Sequence, residues 1–296
     1  MKLTVACARY AIGEPADFDA FAAGVEVRVA EAAAAGAQLV VLPEYLALEA
    51  AAGFAPEVRA DLARSLAALQ PLHPAWESLV LELARRYGVH LQPGTFLREV
   101  TPGRYRNRAA LVSPEGRIVH QDKLVLTGYE RGAGAIEAGD ALHAFDTDLG
   151  RVGILTCYDV EFPLHARALI EAGVRLILVP SCTDTAAGAT RVGIGCQARA
   201  MENGVYVVRA VTSGTADWSP VLDTNTGEAA IYTPIDRGFP ADGVLARSGD
   251  ASNLAVAELD SDLLESARRH AQVAIAGDWP TQARPGVAKV DVVPLG

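Results

Sequence analysis

Short runs of aliphatic and β-branched residues alternate along the chain with longer Ala-rich segments, in which apolar side chains recur every three or four positions. The short runs predict strands and the longer segments predict helices, because side chains alternate between the faces of a strand but follow a period of about 3.6 around a helix. The segment 17–35 predicts a helix that is capped by Asp17, stops before Gly36 and buries one face, made of Phe18, Phe21, Val25 and Val29. The uninterrupted apolar run 38–42 predicts a strand covered on both faces. This alternation is typical of a layered α/β fold.

The same pattern continues to about residue 270. It predicts helices over 57–69, 74–87, 161–172, 190–203 and 260–270, and strands over or near 3–8, 89–96, 105–113, 117–121, 141–146, 151–156, 175–179, 205–211, 220–232 and 253–259. Turn residues at 114–116 and 149–150 predict two hairpins. We expect the loops near 45–56, 127–139 and 181–190 to shape any pocket.

Neither an internal repeat nor a Ser/Gly-rich linker divides the chain, so residues 1–270 are predicted to form one continuous domain. From about residue 271, Pro and Gly are frequent and no periodicity is evident. We expect 271–296 to be a tail that packs on the domain or on a neighbouring subunit.

The charge balance narrows the range of partners. With 36 acidic and 26 basic side chains the formal charge is -10, which would repel nucleic-acid backbones and anionic lipid headgroups. No stretch approaches the ~20 apolar residues that span a bilayer, and the N-terminus lacks the apolar core of an export signal. We therefore expect a soluble protein that binds neither nucleic acid nor membranes. Four scattered cysteines are too few for a disulfide framework, which favours the reducing cytoplasm.

Cys157 is the cysteine whose position suggests chemistry. It directly follows an apolar strand and precedes a predicted helix. A helix N-terminus favours the thiolate, which is the reactive form of cysteine. Cysteines are more often inert core residues, and we interpret Cys7 and Cys196, which fall within a predicted strand and helix, in that way.

A nucleophilic cysteine needs a base, which is most often histidine. None of the six histidines occupies a recognisable local signature, and His120 and His165 are the nearest candidates. Glu44 and Lys123 also follow predicted strands, and a carboxylate with an ammonium group could supply a base and an electrostatic clamp without an imidazole. The residues alone leave both arrangements open.

Four segments, in this order, resemble the nitrilase superfamily, the carbon–nitrogen hydrolases. They are Pro43-Glu44, Lys123, Cys157-Tyr158-Asp159 followed by Glu161-Phe162-Pro163, and Arg199-Ala200-Met201-Glu202-Asn203. The resemblance extends from Leu3 to about Leu259 and would make 1–270 a carbon–nitrogen hydrolase domain. It implies an α/β fold, a four-layer αββα sandwich, whose subunits pair through helical faces as a homodimer or higher homo-oligomer.

The resemblance also implies roles for individual residues. Glu44 would be the general base, Lys123 the cation that stabilises an oxyanion and Cys157 the nucleophile. A second glutamate would position the lysine and substrate; Glu130 matches best and Glu137 competes with it. The backbone N–H of Tyr158 would be the second oxyanion donor. The implied reaction needs no cofactor, and the His/Cys spacing of a zinc site is absent. We expect Lys123→Ala to reduce turnover severely, by roughly 100- to 1000-fold, and to leave the fold intact.

Tyr158-Asp159 matches amidase-type members, whereas nitrilases usually carry Trp-Glu at this point. A small aliphatic or carboxylated amide is therefore the favoured substrate, and a nitrile or an N-carbamoyl compound is the alternative. A further alternative is that the protein is a catalytically silent scaffold. Ser181, Cys182 and Thr183 follow a predicted strand and are expected to line the pocket. An equally good interpretation makes this stretch a turn whose Asp and Thr residues cap the next helix.

Overall fold

The structure, a computed structural model, describes residues 1–249, 252–287 and 289–294. Its strands are β1 (Lys2–Ala11), β2 (Leu39–Leu42), β3 (His90–Pro93), β4 (Thr95–Thr101), β5 (Arg104–Val112), β6 (Ile118–Asp122), β7 (Ile136–Glu137), β8 (Ala144–Thr147), β9 (Gly150–Ile154), β10 (Leu176–Ser181), β11 (Tyr206–Thr215), β12 (Thr224–Asn225), β13 (Ala230–Tyr232), β14 (Val244–Arg247) and β15 (Leu254–Asp260). Its α-helices are α1 (Phe18–Ala34), α2 (Pro56–Arg59), α3 (Leu62–Leu69), α4 (His73–Tyr87), α5 (Gly128–Ala133), α6 (Pro163–Glu171), α7 (Ala186–Asn203), α8 (Ser261–Arg269) and α9 (Ile275–Asp278). Short 3-10 helices occupy Leu46–Gly53, Gln70–Leu72, Cys157–Glu161 and Trp279–Ala283.

Strand β1 links two sheets. Its first part pairs with β15 (antiparallel) and β2 (parallel), while Arg9–Ala11 pair with β11 in parallel. The strand order β4-β5-β3-β2-β1-β11-β10-β9-β8 therefore runs through β1 from one sheet into the other.

The two sheets stack face to face and helices cover both outer surfaces. Because successive side chains of a strand point to opposite faces, Val5 and Cys7 of β1 join a core between the sheets, whereas Ala6 and Ala8 pack in a second core. The second core includes residues of α1 and α4, namely Phe21, Val25, Val29, Trp76, Val80 and Leu83. On the other side, α6 and α7 cover β10 through a third core that includes Leu169, Ile177, Val179 and Val192. These layers confirm the predicted αββα sandwich.

Two predicted elements are divided in the structure. The single helix predicted over 57–69 is wrong, because Asp61 accepts the Arg64 N–H at 2.9 Å and caps a separate helix, α3. The single strand predicted over 89–96 is also wrong, because Gly94 adopts φ +81° and separates β3 from β4. Both predicted hairpins are confirmed, since β5 with β6 and β8 with β9 pair antiparallel.

The segments expected to be loops contain helices. Residues 46–53 form a 3-10 helix, and α5 lies inside 127–139, where Thr127 and Glu130 form a capping box. Helix α7 begins at Ala186 because Thr185 caps it, accepting the Gly188 N–H at 3.1 Å.

Five strands are parallel neighbours in the order β2, β1, β11, β10 and β9. Their carboxyl ends therefore lie along one edge.

Part of the predicted tail lies against the domain. The Gln272 N–H donates to Asp236 at 3.0 Å, and the Arg167 guanidinium lies 4.5 Å from the centroid of the Trp279 ring. Ala288, Leu295 and Gly296 of the tail are outside the described residues.

Among the helices of the described ranges, none has both the length and the apolar character needed to cross a membrane.

Candidate active site

Glu44 follows β2 and is almost completely buried, with 1% of its surface exposed. One carboxylate oxygen, Oε1, accepts hydrogen bonds from Lys123 Nζ and Asn107 Nδ2, both at 2.8 Å. The other, Oε2, accepts the Cys182 N–H at 3.0 Å. The carboxylate therefore connects the end of β2 to β5, β6 and the end of β10.

Lys123 follows β6 and is buried between two carboxylates. Its Nζ lies 2.8 Å from Glu44 Oε1 and 2.9 Å from Glu130 Oε1, and its backbone N–H donates to the Asn107 carbonyl at 2.9 Å. Burial alone would lower the pKa of this ammonium group, but Glu44 and Glu130 outweigh that effect and raise it. Lys123 therefore remains a cation inside the protein.

Glu130 is the glutamate that the structure brings to Lys123. Its Oε1 accepts the Tyr45 hydroxyl at 2.5 Å and its Oε2 accepts the Thr127 N–H at 2.8 Å. Burial would raise the pKa of this carboxyl, but Lys123 and these hydrogen bonds outweigh burial and lower it. The competing residue, Glu137, instead pairs with Arg104 at 2.7 Å.

Cys157 lies just beyond β9 as the first residue of the 3-10 helix, and α6 begins only at Pro163. Its φ of 49° is in the left-handed region, which a residue other than glycine adopts only at a cost in free energy. Its Sγ lies 3.5 Å from the Cys182 carbonyl oxygen. A strained residue whose environment fixes it in this way is typical of a functional site.

The surroundings of Cys157 favour the protonated form of its thiol. Burial and the charge of Glu44 raise its pKa, and Lys123 only partly opposes them. This result contradicts the expectation that a helix N-terminus would lower the thiol pKa, because the residue is buried beside a carboxylate. Burial also raises the pKa of Glu44, with Lys123 and a hydrogen bond with Cys157 acting in the opposite direction. A neutral thiol and a buried carboxylate thus lie next to each other, as proton transfer between them requires.

The two candidate histidines lie elsewhere. His120 belongs to β6 and lines a cavity with His73 and Arg108, and the His165 ring on α6 packs 5.9 Å from the ring of Phe162. Across the described ranges, neither histidine hydrogen-bonds to Cys157. The geometry therefore associates Cys157 with a carboxylate and not with an imidazole.

Of the three predicted pocket residues, Cys182 contacts both Glu44 and Cys157. Cys182 does so through its backbone N–H and carbonyl, and its thiol donates to Asn225 Oδ1 at 3.3 Å. The Ser181 hydroxyl is buried 3.5 Å from the Val179 carbonyl, and the Thr183 hydroxyl donates to the Thr226 carbonyl at 2.5 Å. The alternative interpretation also holds in part, since Thr185 caps α7.

The aromatic ring of Tyr158 packs edge-on against Phe162, with centroids 4.9 Å apart. The ring therefore lies next to Phe162, which is the residue between the 3-10 helix and α6. The role expected of Tyr158 concerns its backbone N–H and does not depend on the ring.

Sequence reasoning missed three residues that organise the site: Tyr45, Asn107 and Asp159. The Asp159 carboxylate accepts the backbone N–H groups of Val125 at 2.7 Å and of Leu124 and Thr156 at 3.1 Å, which ties the Cys157 turn to the Lys123 loop. Burial raises the pKa of Asp159 to about 6. One signal for Asn107 was available, because positions 105, 109 and 111, which share its face of the predicted strand 105–113, are apolar.

A model of the family described as carbon-nitrogen hydrolase matches residues 4–269. The chain belongs to the carbon–nitrogen hydrolase family. The resemblance seen in the sequence is thereby confirmed over nearly the whole chain.

This carbon–nitrogen hydrolase is similar to several known proteins. It is 32% identical over 257 residues to the probable hydrolase YhcX of Bacillus subtilis, covering 86% of this chain and 49% of that protein. It is 32% identical over 201 residues to an (R)-stereoselective amidase of a Pseudomonas species, covering 68% of each. The crystal structure of an amidase from a Nesterenkonia species matches with a TM-score of 0.68 at 26% identity, covering 90% of this chain and 94% of that one. The chain therefore spans about half the length of the Bacillus relative and nearly all of the Nesterenkonia enzyme.

Proposed function

We propose that this carbon–nitrogen hydrolase cleaves a small amide to a carboxylic acid and ammonia through a thioester on Cys157. The observation that carries the proposal is the buried cluster in which Glu44 contacts both Lys123 and the Cys157 side chain. A neutral thiol, a base and a fixed cation are the groups that acyl transfer to cysteine needs.

The reaction follows from these positions. Glu44 takes the thiol proton as Cys157 Sγ attacks the amide carbonyl carbon, and Lys123 stabilises the negative charge that develops on the oxygen. When the tetrahedral adduct collapses, the C–N bond breaks and Glu44 passes its proton to the departing ammonia. Glu44 then deprotonates a water molecule that attacks the thioester carbon. When this second adduct collapses, the C–S bond breaks, Glu44 returns the proton to Cys157 Sγ and the carboxylic acid leaves.

Two further groups fit this scheme. Glu130 would hold Lys123 and the substrate amide in place, as the sequence resemblance implies. The Tyr158 N–H would be a second oxyanion donor, and no acceptor within the described chain occupies it. Backbone donors of this kind are worth about 100- to 1000-fold in turnover when they contact the oxyanion.

An amide is favoured over a nitrile or an N-carbamoyl compound. Tyr158-Asp159 follows the nucleophile, as in amidase-type members. The Pseudomonas and Nesterenkonia relatives are both called amidases, which supports the same class. The nitrilase and N-carbamoyl amidohydrolase alternatives would use the same residues.

The test is ammonia release over a panel of aliphatic, carboxylated and aromatic primary amides, N-carbamoyl compounds and nitriles. We expect turnover of at least one amide, its loss in Cys157→Ala, and its retention in Cys196→Ala, which removes a thiol from the core beneath α7. His120→Asn and His165→Asn should remain active. Hydrolysis of nitriles alone would assign a nitrilase, and activity in Cys157→Ala would contradict the proposed nucleophile.

We further propose a cytoplasmic homodimer. The α6–α7 layer carries exposed apolar side chains, Leu164 and Ile194, with 78% and 61% of their surfaces exposed. Apolar side chains that gather on one exposed face often mark protein contacts. The four cysteines are unpaired, which is compatible with a reducing compartment.

A further inference from the structure

Tyr45 is connected to each charged member of the site. It is the residue after Glu44, its hydroxyl donates to Glu130 Oε1 at 2.5 Å, and the centroid of its ring lies 5.9 Å from Lys123 Nζ. Its backbone has φ 60°, and its N–H donates to Thr95 Oγ1 at 2.8 Å. Tyr45 and Cys157 are the residues other than glycine that have positive φ in the described chain.

The Tyr45 hydroxyl keeps its proton and donates a hydrogen bond to Glu130. Burial and the neighbouring carboxylates raise the pKa of this phenol well above its ordinary value, so the proton stays on oxygen. A donor that short and that well buried favours the ionised form of the carboxylate it contacts.

An ionised and fixed Glu130 has a consequence for Glu44. Lys123 contacts both carboxylates, so a Glu130 that turned away or became protonated would leave Lys123 paired with Glu44 alone. A cation held by one carboxylate stabilises the charge of that carboxylate more strongly and makes it a poorer base. Lys123 would also be free to move from the position that an oxyanion needs.

We propose that Tyr45 is a positioning residue, which holds Glu130 as the second anionic partner of Lys123 through its hydroxyl. This inference rests on the proposed function, since it assigns a purpose to the arrangement of the same site. Tyr45 itself does not act on the substrate.

The titratable groups around Glu130 come from several elements. Lys123 follows β6, and Glu44 and Tyr45 follow β2. Further away, Cys157 after β9 lies near Lys123, and Cys182 after β10 lies near Tyr45. Tyr45→Phe leaves all the others in place and removes one oxygen atom. A matched control exists in Tyr10, whose buried hydroxyl donates to the buried Glu49 at 2.7 Å, a pair that includes none of the groups around Glu130.

The experiment compares Tyr45→Phe and Tyr10→Phe with the unaltered enzyme in two ways. The first is kcat and KM for an amide substrate, where we expect Tyr45→Phe to lower kcat about tenfold, the loss of one hydrogen bond to a charged group, with KM unchanged. The second is a carboxyl 13C titration of protein labelled at glutamate, with Glu130→Gln used to assign the Glu130 signal. We expect the Glu130 midpoint to rise by about one pH unit in Tyr45→Phe and to stay in place in Tyr10→Phe.

An unchanged Glu130 midpoint in Tyr45→Phe would overturn the inference, as would an unchanged kcat. The titration needs no substrate, so it decides the role of Tyr45 even if the enzyme hydrolyses none of the amides. Failure of the proposed function would appear separately, as absence of turnover in the unaltered enzyme.

Discussion

Cys157 occupies a backbone conformation that only glycine adopts without cost, with φ 49°. We expect Cys157→Gly and Cys157→Ala to be equally inactive, because both lack the thiol. They should differ in stability, because glycine relieves the strain and alanine retains it. Urea unfolding should show Cys157→Gly to be more stable than Cys157→Ala by about 1 kcal/mol. Equal stability, or a more stable alanine variant, would show that the turn does not strain its first residue.

Lys123 combines a chemical and a structural role, which changes the expectation that its removal would leave the fold intact. The side chain is 2% exposed and lies between Glu44 and Glu130. Removing the cation from a buried group of charges costs about 3 to 5 kcal/mol, because the remaining charges lose their partner. We expect Lys123→Met to be inactive and destabilised by about this amount at neutral pH.

The pH dependence of that loss has a definite sign. Lys123 helps to lower the pKa of Glu130 in the folded protein. The interaction between the two groups therefore stabilises the fold above the ordinary glutamate pKa. This stabilisation is lost as the pH falls and Glu130 becomes protonated. The difference between Lys123→Met and the unaltered protein in urea unfolding should therefore shrink below about pH 4. Lys2→Met is the control, because Lys2 pairs with Glu258 at the surface; its effect on stability should be much smaller. A Lys123→Met effect as small as that of Lys2→Met would contradict a buried ion cluster.

The end of β2, which carries Glu44, lies against the sharp turn at Gly94 between β3 and β4. At Gly94, φ is +81°, and an added Cβ would lie 2.1 Å from the Pro43 carbonyl oxygen. Gly94→Ala must therefore displace the segment that carries Glu44. We expect a loss of about 3 kcal/mol from overpacking and backbone strain together, with a large fall in kcat.

Gly103 supplies the matched control for Gly94. Its φ is similar, at +72°, but an added Cβ would have no atom within 4 Å. Gly103→Ala should lose only about 1 kcal/mol, from backbone strain, and keep full activity. If the two variants behaved alike in urea unfolding and turnover, the contact between Gly94 and Pro43 would have no part in positioning Glu44.

Gly94 also shows where sequence reasoning reached its limit. The apolar patterns predicted the layers and most strands, because burial of alternate side chains is a local property of the chain. They did not show that Gly94 divides one predicted strand into two, since that break is set by contact with Pro43, which is distant in sequence. Likewise the helices at 46–53 and 128–133 lack long apolar periodicity, and the structure, not the sequence pattern, shows that the first directly follows Tyr45 and the second contains Glu130.

The site was predictable in part for a similar reason. Glu44, Lys123 and Cys157 could be proposed because each follows a strand and matches a family motif. The contacts of Tyr45 and Asn107 depend on which strands become neighbours. Cys157 was expected to be a low-pKa thiol from its position before a helix, but its burial beside Glu44 has the opposite effect.

The two helical layers differ in the apolar surface that they present. The α6–α7 layer exposes Leu164 and Ile194. On the opposite layer α1 exposes Val27, with half of its surface accessible. Loss of water from large apolar side chains is the main favourable contribution to stable association. We therefore expect two copies of the chain to pair through α6 and α7 and not through α1.

The double variant Leu164→Asp/Ile194→Asp tests this pairing, because it would bury two carboxylates in the expected contact at a cost that a dimer cannot tolerate. In sedimentation velocity we expect the unaltered protein to be a dimer and the double variant a folded monomer. Val27→Asp places the same charge on the opposite layer and should remain dimeric. Dissociation caused by Val27→Asp alone would transfer the interface to α1, and a dimer that survives the double variant would exclude α6 and α7 from it.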